Sequence, residues 1–403
     1  MVTTYTCQNG LRIVSEHIPH FRSVAVGVFV NTGSRDERPE ENGITHFIEH
    51  LLFKGTEKRS AKDIAREFDR IGGDLNAYTS KEYTCYYAKV LDHYAPLAVE
   101  VLADMFFNSV MDPVEIDKER LVVKEEISMT EDMADDDVHE QLWRVMYPDN
   151  AIGAPILGTA ETLDRFSRQQ ILDYMERHYT PSNTVISVAG QIDGKLLGQI
   201  EALFGSFERK SPENAHVEPI FVPGQSMKHK ETEQAHICLG YPGLSLQDDR
   251  LFALAVLNNI IGGSMSSRLF QEIREDRGLA YSVYSYHSAY SDHGTLAIYG
   301  GTADHQVGEV EELIRTSLQG MREGDISESE IADSREQLKG NLLLGLESTG
   351  SRMSRNGKYE LLHGKHQTAD EIIRLIDAVE RENVLDLMQM TAAAPAVSII
   401  RSQ

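Results

Sequence analysis

Three things are scarce in this chain. Cysteine is one: 403 residues carry only Cys7, Cys85 and Cys238. They are scattered, odd in number and fit no metal spacing. That excludes a disulfide-stapled scaffold and predicts reduced core thiols in a cytoplasmic protein. Long apolar runs are another. No window of about eighteen apolar residues exists, so no membrane-spanning helix is expected. Met1–Cys7 lacks a basic region followed by an apolar core, so it does not read as a signal peptide, nor is it an Arg-rich transit peptide. Positive charge is the third: 39 Lys and Arg stand against 63 Asp and Glu, a net charge of −24. Such a surface repels nucleic acid and anionic membranes. A phosphate-binding glycine loop is also missing. Gly262-Gly263-Ser264-Met265 has neither the G-x-G-x-x-G spacing nor a lysine placed for phosphate, which argues against nucleotide binding.

What remains is a soluble globular composition, 41% apolar and 25% charged, long enough for two or more domains. One stretch stands out. Gly43–Gly55 contains His46, Glu49 and His50 in the order H-x-x-E-H. Ile44, Phe47, Ile48, Leu51 and Leu52 recur at helix spacing and predict a packed apolar face. Lys54 and Gly55 supply a basic last turn and a residue suited to a left-handed cap. On this helix the two histidines lie roughly 6 Å apart along the axis and about 40° apart around it. Their imidazoles can reach one ion. Zinc suits imidazole nitrogen, and a hydrolytic site leaves one position for water. Glu49 lies beside the same spot as a candidate base.

A third ligand is sought on the predicted helix through Val114–Asp132. Leu121, Val122, Val123 and Ile127 read as its buried side. Glu119 and Glu126 are two turns apart and share a face. Glu126 is assigned as ligand and Glu119 as the group that orients a ligand. Glu125, about 100° away, is the alternative.

The combination of H-x-x-E-H with these glutamates resembles the pitrilysin superfamily of inverzincins, and the words around Gly72–Thr79 and Gly262–Val283 add to the likeness. Within it the chain looks most like the β-subunit of mitochondrial processing peptidase and its bacterial single-chain relatives. The resemblance implies a zinc endopeptidase, with one Zn2+ per chain on His46, His50 and Glu126 and with Glu49 as general base. It implies that the strand containing Leu75, Asn76, Ala77 and Tyr78 is an edge to which an extended peptide adds. It also implies that Arg274 and Tyr281 reach the active site from the domain opposite the metal. A homodimer is then the simplest closed assembly, enclosing unfolded peptide in a chamber. The competing reading is a non-catalytic or heterodimer-only subunit. Such subunits usually lack the metal residues, and here all are present.

The fold expected is α+β, with two homologous domains, each a mostly antiparallel sheet with helices packed on one face. Val24–Val30 reads as a central strand apolar on both faces. The pattern repeats about 210 residues later, with Ala235–Tyr241 in the place of Val24–Val30 and Val397–Arg401 in that of Thr184–Gly190. The expected boundaries are 1–210 for the metal domain, 211–232 for a Pro-containing linker and 233–403 for a second copy without H-x-x-E-H. Glu131–Asp137 is a candidate lining for a cavity that attracts basic peptides.

Overall fold

The computed structural model describes residues 2–209 and 216–402, and these form two compact units. Strands β1 (Val2–Thr6), β2 (Arg12–His17), β3 (Ser23–Val30), β4 (Asp74–Thr79), β5 (Thr84–Leu91) and β6 (Thr184–Gly190) make the first sheet, in the order β1-β2-β6-β3-β5-β4. All pairings are antiparallel except β2 with β6. From Val24 onward every residue of β3 is buried. Such a strand needs cover on both faces. On one face lie α1 (Ile44–Leu52), α2 (Ala61–Ile71), α3 (Ala95–Asn108), α4 (Pro113–Asp132), α6 (Ala160–Leu163), α7 (Arg168–His178) and α8 (Gly194–Phe204), around a core that includes Phe47, Leu102 and Tyr174. Between α4 and α6, α5 (Ala134–Met146) belongs elsewhere.

The second unit repeats this plan. Its strands β7 (Gln225–Lys230), β8 (Ala235–Pro242), β9 (Ala280–Ala289), β10 (Gly294–Thr302) and β11 (Ala396–Ser402) run in the order β7-β11-β8-β10-β9. That is the first sheet without β1, including the one parallel pair, β7 with β11. Helices α9 (Leu251–Ile261), α10 (Val307–Arg322) and α11 (Glu328–Gly345) pack on one face, followed in sequence by α12 (Thr349–His363), α13 (Ala369–Asp377) and α14 (Arg381–Met388).

The second face of each sheet is covered by a helix from the other half of the sequence. α12 crosses β2, β3 and β6 of the first sheet, and α5 packs on β8 and β11 of the second. Both dock over a glycine in the central strand. A Cβ on Gly27 would come within 2.4 Å of Met353 Sδ, and one on Gly240 within 2.5 Å of Met146 Sδ. Polar ties fix α12 further: Arg352 pairs with Glu16 at 2.5 Å and Asn356 Nδ2 donates to the same carboxylate at 2.8 Å.

Three expectations are corrected here. The units are not 1–210 and 233–403: residues 128–153 join the second and 345–366 the first, because each sheet has two apolar faces to bury. The linker expected at 211–232 contains β7, whose polar sequence QSMKHK alternates in burial at a sheet edge and so lacks an apolar run; residues 210–215 lie outside the described residues. Within Glu131–Asp137, Asp137 is buried and pairs with Lys228 and Lys230 at 3.1 and 2.5 Å, so it does not line a cavity. Asp135 and Asp136 stand in the first turn of α5, where the helix dipole favours carboxylates. All three cysteines are buried and free, and among the described residues no helix is long and apolar enough to cross a membrane.

The helix exchange can be tested at its tightest contact. A Cβ on Gly357 would meet the Phe29 ring at 2.2 Å. Gly357→Ala is expected to destabilise the protein by about 1–3 kcal/mol through overpacking, read as a lower denaturant midpoint. A midpoint equal to wild type would show that α12 can lift off without loss.

Candidate metal centre

α1 is buried from Ile44 through Ile48 and again at Leu51 and Leu52, leaving Glu49 and His50 partly open. Its N-terminal residue Gly43 has φ +94°, and a Cβ there would strike Gly158 and Leu157 at 2.7 Å. Glycine is required, so the cap has no side chain. Glu37 supplies the missing acceptor. Its carboxylate accepts from Gly43 N–H at 2.8 Å, Thr45 N–H at 2.9 Å and Asn42 Nδ2 at 3.1 Å. Burial pushes the Glu37 carboxyl up to about 8, against the lowering effect of these hydrogen bonds. The sequence reading missed Glu37. Lying six residues before the cap, it matches no local capping signal. At the other end of the helix Phe53 is the C-cap, in right-handed conformation, and Gly55 takes the positive φ of +115° two residues later.

The structure brings His46, His50 and Glu126 together, with one donor atom of each within 4.8 Å of the others. The two Nε2 atoms are 3.3 Å apart. Glu126 Oε2 is 3.8 Å from His46 Nε2 and 3.5 Å from His50 Nε2. Donors about 2.0–2.1 Å from a tetrahedral ion are separated by roughly 3.3–3.4 Å, so this trio fits zinc with small adjustments. Burial, and secondarily the neighbouring His50, hold the His46 imidazole down to about 3, hence neutral, the form a metal needs.

Behind the trio, Glu119 Oε1 accepts from His50 Nδ1 at 2.8 Å, and its other oxygen pairs with Lys54 at 2.5 Å. Burial raises the Glu119 carboxyl, but these two partners outweigh it and hold it below its ordinary value. Against the lowering effect of its own burial, the carboxylates of Glu119, Glu126 and Glu49 together raise His50. The hydrogen bond fixes His50 with Nε2 toward His46. Glu125 is exposed and turned away. The expected packing of α4 holds only in part: Val123 is fully buried, whereas Leu121 is 66% and Val122 50% exposed. Three consecutive positions around a helix cannot share one face, and the buried side is Ile116, Glu119 and Val123.

Glu49 completes the group. Burial raises its carboxyl above the usual range, against a hydrogen bond from Thr79 Oγ1 at 2.6 Å. Thr79 ends β4, the terminal strand of the sheet, so this bond ties Glu49 to the strand carrying Leu75, Asn76, Ala77 and Tyr78. Arg274 and Tyr281 are in the second unit. Arg274 sits in a single π-helical turn, Phe270–Asp276, and its guanidinium is 4.8 Å from the Tyr281 ring centroid. Wide turns of this kind recur at functional sites. Tyr281 is 73% exposed on β9, the strand equivalent to β4 in the repeat.

Metal analysis separates the acids of α4. Glu126→Ala is expected to lose the ion and Glu125→Ala to keep it. Glu119→Gln, which removes the charge holding His50, is expected to weaken affinity about 10- to 100-fold. Retention by Glu126→Ala together with loss by Glu125→Ala would place the ligand one residue earlier.

Comparison with known proteins identifies the family. Residues 12–160 match the family model Insulinase (Peptidase family M16), and residues 165–338 match Peptidase M16 inactive domain. The chain is 55% identical to the uncharacterized zinc protease YmxG of Bacillus subtilis, over 95% of this chain and 94% of that one. It is 43% identical to an uncharacterized zinc protease of Streptomyces coelicolor, over 98% and 88%. Its fold is that of a protease from Helicobacter pylori, with a TM-score of 0.91, 21% identity and coverage of 100% and 99%. Full-length relatives at this identity, joined to both halves of the family pattern, leave one assignment: the chain belongs to peptidase family M16, within the pitrilysin superfamily.

Proposed function

We propose that the protein is a zinc-dependent endopeptidase that cuts extended or unfolded peptides. The convergence of His46, His50 and Glu126 within 4.8 Å, with Glu49 alongside, carries this reading, and the zinc proteases it resembles support it. These three side chains would hold one Zn2+. When bound, the ion polarises the scissile carbonyl and acidifies a water. Glu49 accepts the proton of the attacking water and passes it to the leaving amine. Its burial suits that exchange, because a carboxylate in a partly apolar site is a stronger base than one in water. Glu119 holds His50 in the productive tautomer. The substrate lies as an added strand on β4, bound through backbone hydrogen bonds along Leu75–Tyr78.

The two units of one chain provide one metal site and one Arg274–Tyr281 pair. The resemblance favours a homodimer in which that pair acts on the partner's metal site. There Tyr281 would donate to the developing oxyanion and Arg274 would hold a substrate carbonyl.

Two outcomes test this. Glu49→Gln is expected to reduce hydrolysis of a generic peptide by about 10² to 10⁴ while zinc content stays at wild-type level; loss of zinc would instead make Glu49 a ligand. The second test mixes Glu49→Gln with Tyr281→Phe under conditions of subunit exchange. Each alone is expected to be nearly inactive. Random pairing makes half the dimers hybrids with one intact site, so the mixture should recover about a quarter of wild-type activity. No recovery, with exchange confirmed, would mean the pair acts within its own chain or the protein is not a dimer.

A further inference from the structure

β4 has different neighbours on its two faces. Leu75 and Ala77 pack into the core on the side of α1, whereas Tyr78 joins the Phe29 and Met353 core on the side of α12. On this second side, between β4–β5 and the first three turns of α12, runs a groove of about 660 Å³. Its charged lining is Lys89, Arg355 and Lys358 against the single acid Asp74. A cationic surplus is unexpected in a chain of net charge −24. Lys358 is the most telling member. Its ammonium lies 5.3 Å from the Tyr83 ring centroid and 5.7 Å from that of Tyr78, and among the described residues it makes no ion pair. Two aromatic faces hold it in place without neutralising it.

We infer that this groove is a side-chain subsite for the peptide strand that β4 accepts, and that it selects an acidic residue. The inference rests on the β4 reading above. A strand added to the sheet directs successive side chains to opposite faces. If one residue faces the metal side, its neighbours on either side face the groove. A carboxylate arriving there meets an ammonium already positioned, so it gains a charge-assisted hydrogen bond with little loss of rotamer freedom on the protein side. A lysine at the same position meets like charge. Tyr78 thus has two tasks: its backbone belongs to the edge that pairs with substrate, and its ring forms one wall of the groove.

The experiment uses zinc-loaded full-length protein and a quenched fluorescent peptide of fixed cleavage point. Each position in turn carries Glu or Lys, and kcat/KM is measured for both. Wild type is expected to favour Glu by about tenfold, a difference of roughly 1.4 kcal/mol, at positions two residues apart. Lys358→Glu is expected to reverse the ratio at those positions and nowhere else, and Lys358→Arg to keep it. Lys89→Glu, at an exposed place on β5, gives a second reading if Lys358→Glu does not fold. Cleavage with the same Glu/Lys ratios in wild type and in the folded charge-reversal variant would overturn the subsite and leave the peptidase reading standing. No cleavage of any peptide by the zinc-loaded wild type would remove the peptidase reading itself, and the subsite with it.

Discussion

A central strand that is apolar on both faces must be covered on both, and much of this structure follows from that need. β3 and β8 each fill the middle of a sheet with buried side chains. The helices that follow each strand in sequence cover one face only. The other face receives a single helix from the opposite half of the chain, α12 for the first sheet and α5 for the second. Each docks over a glycine, Gly27 or Gly240, with a methionine directly above it. The recurrence of the same device in both copies argues that the exchange belongs to the duplicated plan.

This layering sets the environment of the site. α1 is sunk into the helical side of the first sheet, so His46 is shielded while His50 and Glu49 look outward. Its start is held by Glu37, whose buried carboxylate takes up N–H groups that a glycine cap leaves open. α4 brings Glu119 and Glu126 against it from the other side. Glu119 orients one histidine and Glu126 completes the donor set, two turns apart on one helix face. β4 then lies at the end of the sheet with the α1 side, where Glu49 meets Thr79, on one face and α12 on the other. The cationic groove exists only because α12 arrives from beyond residue 345 to form its second wall.

Much of the site was legible in the residues because it is local. H-x-x-E-H fixes its own geometry through helical periodicity, and Glu119 with Glu126 does the same on α4. Helix phase separated Glu126 from Glu125. Where the reading failed, the signal was weak or ambiguous. Leu121 and Val122 looked like core by residue type, yet α4 is packed through Ile116, Glu119 and Val123. β7 was hidden because its strand is polar. Glu37 was hidden because its partners are five to eight residues away and it acts chiefly through backbone donors.

The sequence by itself determined most element types, the duplicated order of the apolar strands and the four residues His46, Glu49, His50 and Glu126 that the structure brings together. These depend on periodicities of 3.6 and 2 and on short spacings within single helices. Tertiary structure alone decided which helix covers which sheet, since α5 and α12 carry apolar faces that name no partner. It also decided that Glu37 caps α1, that Thr79 meets Glu49, and that Lys358 stands over Tyr78 and Tyr83. The last two join residues that are distant in sequence, and Glu37 reaches past any capping spacing. Packing brings them together, and no local pattern encodes the meeting.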